Sequence, residues 1–153
     1  MRQRTRRCKT EKLTKPMNMK KELIIKNEVA ELEHLVILID EVTEELQLDP
    51  EIGMSLNLAL EEVVSNVILY AYPEGTNGTV QIVANSDGQV LVFTITDQGK
   101  AFDPTQVKEA DITLSAEERA IGGLGIFIVN QIMDNVSYRR ENGQNILMLT
   151  KRL

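Results

Sequence analysis

Glu62 and Asn66 stand four residues apart in Leu60-Glu-Glu-Val-Val-Ser-Asn-Val67. On a helix that spacing brings both side chains out on one face. Val63, Val64 and Val67 around them are apolar, so the polar pair edges a buried surface. Further on, Asp97-Gln98-Gly99 closes the run Val-Leu-Val-Phe-Thr-Ile-Thr. A carboxylate there only accepts hydrogen bonds, which suits an amino donor such as the N6 amine of adenine. Gly99 lets the backbone come close to a flat base. Gly122-Gly123-Leu124-Gly125 directly precedes the apolar stretch Ile126-Phe127-Ile128-Val129. Glycines at a helix start leave backbone N–H groups free, and the helix dipole adds positive potential, so anions such as phosphates are held well there. Taken singly, each group has an ordinary reading: a solvated helix face, a strand-end turn and a flexible helix entry.

Positioning these groups takes a regular set of elements. Leu23-Ile24-Ile25 reads as a first strand. Val29, Leu32, Leu35, Val36, Ile39 and Val42 recur at three- and four-residue steps, predicting an amphipathic helix over about 29–47. Asp49-Pro50 supplies an N-cap and a first-turn proline for a second helix reaching about Tyr72, which Pro73-Glu74-Gly75 stops. Strands at Thr79–Ala84 and Val90–Thr96 flank the turn Asn85-Ser86-Asp87-Gly88, a hairpin signal. The long polar segment between Gly99 and Gly123, with a short helix at Ser115–Arg119, reads as a functional lid. A third helix from near Gly123 to about Met133 precedes strands at Ser137–Arg140 and Ile146–Thr150 around Glu141-Asn142-Gly143. The predicted fold class is α+β: a two-layer sandwich whose mixed, mostly antiparallel sheet carries three main helices on one face.

Composition excludes several alternatives. The 153 residues suffice for one domain with a sizeable core. Aromatics are 4% and Trp is absent, against a base-stacking nucleic-acid platform. A single cysteine, Cys8, forms no internal disulfide, and a single histidine, His34, forms no zinc cluster. No apolar run approaches the roughly 20 residues of a membrane span, and the basic start lacks the apolar core of a secretory signal. The expected compartment is therefore cytoplasmic, with no membrane partner. The net charge of −6 is uneven: residues 1–21 carry nine Lys or Arg and one acid, leaving eight basic and 22 acidic residues beyond them. So acidic a body repels nucleic-acid phosphates, which argues against direct nucleic-acid binding and for a basic protein partner. Residues 1–18 read as a basic disordered tail, either a solvated extension or the product of a start codon ahead of Met17 or Met19.

Together the three groups are far more specific than any one. E-x-x-x-N at Glu62 and Asn66, D-x-G at Asp97 and Gly99, and G-G-L-G at 122–125 resemble the N, G1 and G2 boxes of the GHKL ATPase superfamily, which includes gyrase B, a heat-shock chaperone, histidine kinases and MutL. Leu60–Tyr72, Asp97–Pro104 and Arg119–Ile126 look most like the anti-sigma-factor serine kinase branch, and the resemblance spans Lys21–Leu153. It implies the Bergerat fold for residues 19–153, with ATP and Mg²⁺ as ligands. It gives Asn66 the magnesium ion, a hard cation served by amide, phosphate and water oxygens. Glu62 becomes the general base toward a substrate serine. Asp97 fixes adenine with Gly99 beside it, Gly122, Gly123, Leu124 and Gly125 surround the phosphates, and Arg119 neutralises them.

Three departures accompany the resemblance. Lys100-Ala101 follow Gly99 where D-x-G-x-G is frequent. Gln144 and Asn145 stand where a base-binding threonine often follows the glycine of the last turn. His34 lacks the Glu and Pro that follow a phosphorylated histidine, and reads as a helix-surface or packing residue. The implied function is an ATP-dependent serine kinase and anti-sigma factor, forming a homodimer through its first strand and helix, silencing a sigma factor and phosphorylating a STAS-domain antagonist. A non-catalytic ATP-binding switch and a split sensor-kinase ATPase domain are the alternatives.

Overall fold

The computed structural model describes residues 18–106 and 123–153. Five strands form one sheet: β1 (Met19–Lys26), β2 (Thr79–Ser86), β3 (Val90–Asp97), β4 (Asn135–Glu141) and β5 (Gln144–Arg152). Their order is β1-β2-β3-β5-β4, and all four pairings are antiparallel, so the described sheet has no parallel pair of the kind a mixed sheet would contain. Helices α1 (Leu32–Glu45), α2 (Pro50–Asn66) and α3 (Gly123–Ile132) complete the second layer.

Strand alternation explains why the helices lie on one side. Along β2 and β3 the buried apolar side chains are Val80, Ile82, Ala84, Leu91, Phe93 and Ile95, each two residues from the next within its strand. Register carries these into cross-strand rows: Leu23, Ile82, Ile95, Leu147 and Tyr138 form one, and Ala84, Phe93, Leu149 and Val136 lie in the next. Leu35, Leu38, Ile39 and Val42 of α1 and Leu56, Leu60, Val63 and Val64 of α2 close over them. One row changes character halfway: Ile25 and Val80 give way to Asp97, Asn145 and Arg140. The core therefore ends in a polar corner beneath α2 and α3.

Local chemistry sets the element ends. Strand β1 begins at Met19, four residues before the predicted Leu23. The polar run Lys20-Lys21-Glu22 hid it, yet Lys21 lies against the helical layer with its Nζ 3.3 Å from Glu41 and 3.0 Å from Glu45 of α1, the long stem covering apolar surface. Helix α1 is preceded by one 3₁₀ turn, Val29–Glu31. It ends at Glu45, and two residues on, Gln47 takes a left-handed φ of 52°. Leu48 N–H then donates to Thr43 O at 2.9 Å and Gln47 N–H to Glu44 O at 3.1 Å, a pair of bonds that satisfies the last carbonyls. Asp49 caps α2 by accepting from Glu51 N–H at 2.9 Å, with Pro50 following. The β4–β5 turn uses Asn142 at φ 51° and Gly143 at φ 76°, both suited to a tight hairpin.

The second helix differs from its predicted course. Regular α geometry ends at Asn66, and Val67–Ala71 continues as a π-helix. The combined run Pro50–Ala71 is 22 residues long and, by length and composition, apolar enough to cross a membrane, contrary to the expectation that no such stretch exists. Its buried Leu56, Ala59, Leu60, Val63 and Val64 belong to the core cluster, and it packs against α1, α3 and the sheet as a core helix does. The predicted helix at Ser115–Arg119 lies outside the described residues.

Candidate functional site

A cavity of about 260 Å³ opens where α2, α3 and the polar corner of the sheet meet. Glu62 and Asn66 enter it from α2, Asp97 from the end of β3, and Gly125 from the first turn of α3. Four residues separated by as many as 63 positions thus line one hollow. Its floor and walls are apolar, with Val63, Val67, Ala71, Ile95, Ile126, Val129 and Leu147. Such a lining with a few convergent polar groups is the usual make-up of a small-molecule site.

Glu62 and Gly125 are close neighbours. A Cβ placed on Gly125 would sit 2.7 Å from Glu62 Oε2 and 3.6 Å from Asn66 Nδ2. The small residue therefore leaves room for the carboxylate and amide at the mouth of α3. Its neighbours Gly123 and Leu124 open that helix, and backbone N–H groups of a first helical turn have no partner within the helix. Gly122 and Arg119 lie outside the described residues.

Asp97 is buried, at 5% exposure. Its Oδ1 accepts from Gly99 N–H at 2.8 Å and from Asn145 Nδ2 at 2.9 Å. Gly99 itself does not line the cavity. Its added Cβ would fall 2.5 Å from Ala71 O, and the next residue, Lys100, donates its N–H to that same carbonyl at 2.8 Å. Gly99 thus permits a close approach to the end of the π turn. Tyr72 reinforces this junction: its hydroxyl donates to Thr79 O at 2.6 Å and accepts from Gln98 N–H at 3.0 Å. The π segment, a feature that often marks functional sites, thereby docks α2 onto the Asp97 turn.

Several lining residues escaped the sequence reading. Lys100 and Asn145 had figured only as departures from a pattern, and Tyr70, Phe102 and Tyr138 not at all, yet all five border the cavity. Tyr138 and Arg140 carried a signal in principle: they alternate along β4, and register sets them opposite Leu147 and Asn145. That pairing becomes visible only once β4 and β5 are known to be neighbours.

The donor set fits a nucleotide. Among the described residues no cluster of three or more His, Cys, Asp or Glu side chains could hold a metal by itself. A metal here would rest on Asn66 together with oxygens brought by a ligand, the pattern favoured by Mg²⁺, which keeps waters and takes phosphate oxygens. The first turn of α3 at Gly125 offers backbone N–H groups that suit phosphate, and Asp97, a buried acceptor at the polar corner, suits an amino-bearing base.

Comparison with known proteins agrees with this geometry. The profile of the histidine kinase-like ATPase domain matches residues 26–151. The serine/threonine-protein kinase BtrW of Bordetella bronchiseptica is 28% identical over 96 residues, covering 63% of this chain and 68% of that protein. The serine-protein kinase RsbW of Halalkalibacterium halodurans is 31% identical over 100 residues, covering 63% of this chain and 60% of the relative. RsbW of Bacillus thuringiensis is 28% identical over 97 residues, with 61% and 60% covered. The matched regions thus span only about three fifths to two thirds of these relatives. The crystal structure of the RsbU and RsbW domains of a Mycobacterium tuberculosis protein superposes with a TM-score of 0.61 at 12% identity, covering 88% of this chain and 32% of that one. At that identity the likeness speaks for the fold alone. With the match extending over residues 26–151, the chain belongs to the histidine kinase-like ATPase domain family.

Proposed function

We propose that this chain is an ATP-dependent protein serine kinase that acts as an anti-sigma factor in the cytoplasm. The observation that carries the reading is the meeting of Glu62, Asn66, Asp97 and Gly125 on one cavity. Bound ATP·Mg²⁺ would supply the transferable phosphoryl group and the charge neutralisation its transfer requires. Asn66 would hold the metal through its amide oxygen. Asp97 would accept from adenine, and residues 122–125 with Arg119 would face the phosphates. Glu62 would take the proton from a serine hydroxyl as that oxygen bonds to the γ-phosphorus and ADP leaves. Kinases named in the comparisons act on serine or on serine and threonine, which supports a serine hydroxyl as the acceptor; the acceptor protein would be a STAS-domain antagonist and the partner held a sigma factor.

Residues 19–153 would form the kinase domain and 1–18 its basic tail. Homodimerisation is supported by β1, an eight-residue edge strand with no second neighbour among the described strands. Ile24 of that strand is 60% exposed, and Ile37 of α1, the helix packed against β1, is 54% exposed, so both elements carry exposed apolar side chains. Incubation with labelled ATP, Mg²⁺ and a candidate STAS protein tests the catalytic reading. Phosphoserine that disappears in Glu62→Ala is the expected result, whereas tight ATP binding without transfer to any partner would point to a non-catalytic switch.

A further inference from the structure

Asn145 occupies a position that sequence comparison presents only as the lack of a threonine, yet it is among the most constrained polar residues of the fold. It is 5% exposed, as is its register partner Asp97. Its Nδ2 donates to Asp97 Oδ1 and to Lys100 O, both at 2.9 Å. Its Oδ1 accepts from Tyr138 OH at 2.7 Å and from Arg140 Nη1 at 2.8 Å. The same Arg140 nitrogen donates to Gly99 O at 3.1 Å. Turning the amide over would set Nδ2 against the guanidinium and Oδ1 against a carboxylate and a carbonyl, so its partners fix its orientation.

We infer that Asn145, held by Tyr138 and Arg140, is a positioning residue that locks the Asp97 rotamer and thereby gives the cavity its preference for a purine bearing its amine at C6. The inference rests on the nucleotide reading of the cavity and concerns how the base is selected. With Oδ1 saturated by Gly99 N–H and Asn145 Nδ2, Asp97 has one oxygen left to meet a ligand, and that oxygen accepts only. An amine is welcome there. A carbonyl at the same C6 position, as on guanine, meets a buried acceptor and leaves both groups unsatisfied, a penalty that polar sites use for steep discrimination. Asn145 borders the cavity, but its amide is taken up by protein partners, so it acts by preventing Asp97 from rotating toward another arrangement. Arg140 adds a second tie, since it links the amide to the Gly99 carbonyl in the turn after Asp97.

The test compares binding of fluorescent mant-ATP and mant-GTP, each with Mg²⁺, to the wild-type chain and to Asn145→Asp, Tyr138→Phe and Arg140→Gln. Asn145→Asp keeps an acceptor for Tyr138 and Arg140 but opposes a second carboxylate to Asp97. The expected result is a fall of about tenfold or more in the ATP-to-GTP affinity ratio. Tyr138→Phe and Arg140→Gln, each removing one donor from Asn145 Oδ1, should lower the ratio by about two- to fivefold. The ratio is the informative quantity, because a merely structural role would weaken both nucleotides alike. If Asn145→Asp fails to fold, the two milder variants carry the comparison. Folded variants that keep the wild-type ratio would overturn the inference while leaving the ATP site intact. Wild-type protein that binds neither nucleotide would remove the ATP reading itself, and the inference with it.

Discussion

Glu62 and Gly125 face each other so closely that a methyl group on the glycine would come within 2.7 Å of the Glu62 carboxylate. A helix-borne carboxylate and the opening turn of another helix, far apart in the chain, thus share one small space. Nothing but hydrogen fits on the Gly125 α-carbon without moving the acid. That contact joins the proposed base to the proposed phosphate cradle.

Glu62→Gln keeps the size of the side chain and removes its basicity. Phosphoryl transfer to serine should fall by about 100- to 10,000-fold, while nucleotide affinity changes little. Single-turnover transfer rates beside a binding titration check both halves of this expectation.

Gly99 and Gly125, two of the glycines with close contacts, should behave differently. At Gly99 the added Cβ meets the Ala71 backbone carbonyl at 2.5 Å, which cannot step aside, so Gly99→Ala should destabilise the fold by about 1–3 kcal/mol. At Gly125 the nearest atom is the far end of a flexible side chain. Gly125→Ala should therefore melt close to wild type but lose transfer activity, because Glu62 is displaced. Thermal melts paired with transfer assays separate the two cases.

Tyr72→Phe removes the hydroxyl that bridges Thr79 O and Gln98 N–H. Because water can reach these groups, the stability loss should be about 0.5–1.5 kcal/mol, measured by urea unfolding. Hydrogen exchange at Gln98 should quicken in the same variant.

Acid weakens one particular turn. The N–H groups of Val90 and Gln89 hold the Asp87 carboxyl below its usual range. A group lowered on folding contributes stability above its unfolded value and loses that contribution as pH falls through its folded value. Asp87→Asn should thus be less stable than wild type at neutral pH, with the two melting curves converging on acidification. Melting temperatures recorded from neutral pH down through the carboxylate range test this.

Much of the architecture was legible because its signals are local. The hairpin signal of Asn85-Ser86-Asp87-Gly88 marked β2 and β3 on either side of it, three- and four-residue spacing marked α1, and Asp49-Pro50 marked the start of α2, where Asp49 indeed caps. Features set by distant partners were not legible. Strand β1 was read short because Lys21 counted as polar, whereas its ammonium reaches two glutamates on another element. The π turn depends on Ala71 meeting Gly99 and Lys100, a contact no window of sequence contains. Gly53 likewise looks like a helix-weakening residue until α1 is seen beside it, where an added Cβ would lie 2.7 Å from Thr43 Oγ1. In the cavity, Glu62, Asn66, Asp97 and Gly125 stood out through their spacing. Asn145, Tyr138 and Arg140 did not, since their roles arise from β4–β5 register.

Calorimetric titration with ATP, performed with and without Mg²⁺ on wild type and on Asn66→Ala, bears most directly on the shared cavity. Saturable one-to-one binding by wild type is expected, weakened about tenfold in Asn66→Ala when Mg²⁺ is present and nearly unchanged when it is chelated. Absence of saturable binding by the wild-type chain, or equal Mg²⁺-dependent affinity in the variant, would contradict it.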